Sequence, residues 1–214
     1  MEQLKHTIIE IHDEEGTLIQ RQSKLGTVMD GETTTYYPDG KVHEKVTYQD
    51  GKLHGDYVTF DENSVLVSHC RYENSKLNGI SEYYLLGRLH MKAHYKHGKT
   101  DGLVIFYHNT GFIQSEAEHV QGKRHGRLLT YDVEQNLLSV TLFENDIKQG
   151  KKISYYPSGE LYEEATYKDD LLQGRQTYYY EDGPARMITD FDKGIAIEIP
   201  TLFDSYGREI AVGA

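Results

Sequence analysis

The chain has one cysteine, Cys70, no tryptophan and only four prolines. A lone cysteine excludes an internal disulfide framework and any zinc site built on cysteines. Cys70 falls among small apolar positions, where it reads as a buried small hydrophobe. No stretch of about 18 apolar residues is present, so no membrane-spanning helix is expected. The start, Met1-Glu2-Gln3-Leu4-Lys5-His6, has no apolar signal core, and a cytoplasmic location follows as the default expectation. Positive charge is also in deficit, with 23 Lys and Arg against 34 Asp and Glu, a formal charge of −11. Nucleic acid and anionic bilayers reward a basic surface, so both are disfavoured as ligands and a basic protein surface is favoured. Hydrophobic residues make up 37% of the chain, enough for a core but a thin one.

What is abundant is glycine at a fixed interval. Gly31, Gly55, Gly79, Gly102, Gly126, Gly150 and Gly174 follow one another at 24 residues, once at 23. A period in this range marks one supersecondary unit copied along an array. The fifth residue after each of these glycines is aromatic: Tyr36, Phe60, Tyr84, Tyr107, Tyr131, Tyr155 and Tyr179, with Phe203 extending the column. Turn residues follow in Tyr37-Pro38-Asp39-Gly40 and Tyr156-Pro157-Ser158-Gly159, where Pro presets φ and Gly accepts a positive φ. A second aromatic or His, from Tyr48 through Phe191, closes the next stretch ahead of turns such as Gln49-Asp50-Gly51-Lys52. Each unit therefore reads as strand, tight turn, strand, turn.

The second strand alternates. One face carries Val42, Leu66, Leu89, Ile113, Leu137 and Leu161, then the small residues Val46, Cys70, Ala93, Ala117, Thr141 and Ala165. Its other face is mostly polar and differs from copy to copy. Leu86-Gly87-Arg88 makes the third unit one residue short, and Ser64 and Gln135 replace turn glycines, which predicts wider or bulged turns there. The expected architecture is all-β, an elongated single-layer antiparallel sheet of tandem hairpins of about 24 residues. Residues 31–194 hold seven repeats, between a divergent N-terminal cap at 1–30 and a C-terminal half-repeat at 195–214 that ends near Val212. All of it forms one repeat domain of 16 to 18 short strands.

Units of the form Gly-x4-Tyr-Tyr-Pro-Asp/Ser-Gly-x-x-x-Glu followed by Tyr-x-x-Gly-Lys-x-x-Gly resemble the variant MORN repeat of bacterial proteins, best at Gly31 to Gly55 and Gly150 to Gly174. The resemblance implies a meander of hairpins, a scaffold for protein contact and, in some relatives, lipid association. Arrays of this variant are often antitoxins or immunity proteins. It supplies no catalytic residues to carry over.

No phosphate-binding loop, nucleophile elbow or calcium loop is present, and no cofactor is expected. His90 and His94 are four apart, which on a strand places them roughly 13 Å from each other, too far to share a metal ion. No metal site and no catalytic residue is expected. The C-terminal acids Glu160, Glu163, Glu164, Asp169, Asp170, Glu181 and Asp182 read either as a solvated acidic face or as part of a polar strip that recognises a partner. Candidate contacts on that strip are His43, His69, His90, His94, Glu116, Glu118, Tyr162, Glu164, Tyr178 and Tyr180. The function expected is non-enzymatic binding, with a bacterial antitoxin or immunity protein that covers a toxin as the leading case. A scaffold or membrane-peripheral protein is the alternative, and the oligomeric state stays open.

Overall fold

The computed structural model describes residues 5–210. Val212 and the segment Met1 to Leu4, assigned above to the two caps, lie outside the described residues. The described residues are all-β, with 21 strands in one open antiparallel sheet. The strands pair in hairpin succession, as in Val28–Tyr36 with Val42–Gln49, then Val42–Gln49 with Lys52–Phe60, then Lys52–Phe60 with Leu66–Glu73. The strands outnumber the expected 16 to 18 because three copies break the first strand after two residues, giving Lys76–Leu77, Leu171–Leu172 and Ile195–Ala196 as separate short pieces. Residue contacts divide the chain into two compact units, 1–102 and 103–214.

Two kinds of turn join the strands. The second turn of a unit is a two-residue hairpin with both residues at positive φ, the geometry that matches strand twist. Asp50-Gly51 and His97-Gly98 use a glycine, whereas Asn74-Ser75, Asn145-Asp146 and Asp169-Asp170 use none. The first turn is a four-residue loop, closed in the first full repeat by Tyr37 N–H to Lys41 O at 2.8 Å and Gly40 N–H to Tyr37 O at 2.9 Å, except in the third repeat, where Leu86-Gly87 makes a two-residue turn. Ser64 and Gln135 do not widen it, against the expectation from sequence. Asp61 N–H to Val65 O and Asp132 N–H to Asn136 O close those turns in the same pattern, with Ser64 at φ 62° and Gln135 at φ 71°. The cost of a non-glycine residue there is offset by the first residue of the turn. Asp61 Oδ1 accepts the N–H groups of Asn63 and Val65, and Asp132 Oδ1 those of Glu134 and Asn136, all between 2.8 and 2.9 Å.

Where that first residue is not Asp, it reaches the next copy. Tyr37 donates its hydroxyl to Phe60 O at 2.9 Å, Tyr156 to Tyr179 O at 2.8 Å and Tyr180 to Phe203 O at 2.8 Å. His108 Nε2 lies 3.2 Å from Tyr131 O in the same role. Copies are thus tied 23 residues apart by a side chain as well as by the ladder.

The core lies on one face of the sheet, here termed the packed face. Val46, Cys70, Ala93, Ala117 and Ala165 are buried there, as the small-residue column predicts. Ser81 pairs with Ala93, and both have 0% exposure. The Ser81 hydroxyl has no hydrogen-bond partner among the described residues. A buried unsatisfied hydroxyl costs about 1–3 kcal/mol. Ser81→Ala is therefore expected to stabilise the fold by about 1 kcal/mol in urea unfolding. A destabilised variant would mean that the hydroxyl is bonded in solution.

Candidate partner-binding surface

Strand alternation sends the intervening residues to the opposite, open face. In the first unit the ladder aligns Glu10, Arg21, Thr34, Lys45, Val58, His69, Glu82 and Lys92 in one row across eight strands. Charge alternates along much of it. His69 Nε2 lies 3.1 Å from an Asp56 carboxylate oxygen, and Lys92 Nζ lies 3.0 Å from Glu82 Oε1. The Lys92 ammonium holds the Glu82 carboxyl below the usual range, burial opposing it. These residues with Arg71, Gly79 and Ile80 line a shallow groove of about 410 Å³.

The equivalent row in the second unit runs Glu116, Leu129, Val140, Ile153, Glu164, Thr177, Ile188 and Thr201. Its centre is aliphatic where the first unit is charged. Leu142 shares this face of its strand, so the mostly polar face inferred from sequence holds for the first unit and fails here. The signal was available in Leu137-Leu138-Ser139-Val140-Thr141-Leu142, where apolar residues do not alternate with polar ones. Tyr131 donates to Glu116 Oε1 and Tyr179 to Glu164 Oε2, each at 2.9 Å. Burial and then the carboxylate raise the pKa of both phenols, so they stay protonated donors at neutral pH.

The candidate contacts distribute as follows. His43 and His90 are the extra residues at register shifts, the His43 ring lying 4.6 Å from Tyr37, and His94 is exposed on the open face. Glu118 approaches Arg127 at 3.6 Å. Tyr162 packs edge-on between Tyr156 at 5.1 Å and Tyr178 at 5.5 Å. Tyr178 pairs with Glu163 and so belongs to the packed face, and Tyr180 is occupied in the inter-copy bond described above. Glu163 is a correction to the solvated-acid reading: it is 4% exposed. Lys152 Nζ at 2.6 Å, Ser154 Oγ at 3.2 Å and Gln176 Nε2 at 2.7 Å all donate to it. Burial pushes the Glu163 pKa up, but these donors outweigh it and leave the carboxyl below its ordinary value. Among the described residues no three His, Cys, Asp or Glu side chains come together to hold a metal ion.

No curated protein matches the chain by sequence. Among solved structures, the GtfA/B complex bound to UDP and GlcNAc aligns at 12% identity and TM-score 0.25, over 53% of this chain and 22% of that one. The Photorhabdus luminescens Tc holotoxin pore aligns at 13% identity and TM-score 0.24, over 88% of this chain and 12% of that one. The chain thus spans less than a quarter of either structure's chain. Residues 29–50, 53–74 and 148–169, three copies of the 24-residue unit, match the family model described as MORN repeat variant.

Proposed function

We propose that the chain is a non-enzymatic binding protein and that its partner is a toxin or effector with a basic surface, neutralised by direct contact. The observation that carries this reading is the formal charge of −11 on a chain whose repeats display Glu116, Glu118 and Glu164 along one sheet face. Repeated strands give such residues fixed spacing, and fixed charges of one sign steer and select a partner of the other. The match to MORN-variant repeats supports a contact surface and supplies no catalytic group.

The test is capture and neutralisation. Tagged protein in host lysate, washed at moderate salt, is expected to retain one stoichiometric basic partner whose toxic activity falls in proportion to added protein. Retention that is lost on raising ionic strength fits the charge argument. A folded bait that retains nothing, or a toxin whose activity survives a stoichiometric excess, removes the reading.

A further inference from the structure

We infer that the open face of the second unit, centred on Leu129, Val140 and Ile153, is the docking site for an amphipathic helix of a partner protein. The inference rests on the binding function proposed above and places it on one surface. The three side chains are direct cross-strand neighbours, Leu129 to Val140 and Val140 to Ile153, and all are half-buried with no covering layer. Neighbouring strands lie about 4.8 Å apart. An apolar ridge on a helix advances about 5 Å for every three or four residues, so successive ridge residues meet successive strands.

Charge selects the occupant. Glu116 pairs with Leu129 and Glu164 with Ile153, so a carboxylate closes each end of the apolar row, about 19 Å apart over four strand spacings. Tyr131 and Tyr179 hold those carboxylates by hydrogen bonds, so they are oriented before a partner arrives. Two nearby cations already face acids, Arg127 with Glu118 at 3.6 Å and Arg175 with Asp190 at 2.9 Å. Lys151, two residues from Ile153, is exposed and calls for an acid on the partner. The complementary helix carries an apolar ridge with Arg or Lys at each end. A second copy seated here would set carboxylate against carboxylate at both ends of the row.

A labelled helical peptide of about 18 residues, roughly 27 Å long, with a leucine ridge between two terminal arginines, is the probe. Fluorescence anisotropy with the full chain is expected to give a micromolar Kd at low salt. Val140→Glu is expected to raise that Kd at least tenfold, and Glu116→Gln with Glu164→Gln about fivefold while flattening the salt dependence. Val140→Thr, which keeps the shape and strand preference of valine, guards against a misfolded variant and is expected to weaken binding about threefold. Val58→Glu, in the matching row of the first unit, should leave the Kd unchanged. A wild-type chain that ignores the peptide, or folded Val140 variants that bind it as wild type does, overturns the site. So does sedimentation that shows a dimer dissociated by Val140→Glu, since a second copy would then be the occupant. Peptide binding without a captured toxin removes the toxin reading alone. Toxin capture that is equal for wild type and Val140→Glu removes the helix site alone.

Discussion

Glu163→Ala is expected to destabilise the second unit by about 3 kcal/mol, the range found when one partner of a buried ion pair is removed. Its carboxylate accepts hydrogen bonds from Lys152, Ser154 and Gln176 at 4% exposure, so the variant leaves three donors facing a cavity and the Lys152 ammonium, whose side chain is 28% exposed, without its counter-ion. Glu163→Gln keeps the volume and one acceptor oxygen and is expected to cost less, about 2 kcal/mol. The two variants also differ from wild type in their pH dependence. The folded carboxyl titrates below its unfolded value of about 4.5, so its stabilisation is complete above that value and is lost as pH falls through the lower, folded one. Urea midpoints measured between about pH 7 and pH 3 should therefore drop more steeply for wild type than for Glu163→Gln. Parallel curves would show that Glu163 is not the acid-sensitive group.

Gly102→Ala is expected to cost about 3 kcal/mol. Gly102 has φ +117°, outside the left-handed basin that other residues tolerate, and an added Cβ would lie 3.1 Å from the Cβ of His94. That neighbour is anchored to its own strand and cannot swing away as the end of a long side chain can. Gly40 supplies the control. Its φ of +84° is nearer the left-handed region and nothing lies within 4 Å, so Gly40→Ala is expected to cost only about 1 kcal/mol. In repeat proteins each copy contacts only its neighbours, so hydrogen exchange should report the loss locally, near residues 94–102, and not along the whole sheet. Equal costs at the two glycines would show that the approach to His94 adds nothing to the cost at Gly102.

The strands and the hairpin turns were legible because period-two alternation and turn chemistry are both local. Position on a face was legible only in part, since each copy contains bulges that local patterns do not reveal. Register shifts fall between Thr35 and Tyr36, between Thr130 and Tyr131 and between Tyr178 and Tyr179, directly before the aromatic column. The extra residue lies on the second strand, so Tyr131 keeps the face of Leu129 by alternation and Leu137 is brought opposite it, and on that open face Tyr131 and Tyr179 orient carboxylates in addition to packing. Glu163 and Glu164 were grouped as neighbouring acids, yet alternation sends one into the packed face and the other to the open one. Burial of an acid is legible only once its partners, Lys152 and Gln176, are known to lie opposite. Ser64 and Gln135 misled for a related reason: the turn is held by Asp61 and Asp132 at its start, so the residue at positive φ need not be glycine.

The hydroxyl bonds from Tyr37 to Phe60, Tyr156 to Tyr179 and Tyr180 to Phe203 all point forward along the chain. A ribosome releases about 5–20 residues per second, so each of these turns must wait on the order of 1–5 s for the carbonyl that secures it to be synthesised. During that interval the newest hairpin relies on its backbone ladder and on contacts inside its own turn, such as Tyr37 with His43 and Lys41 with Asp39.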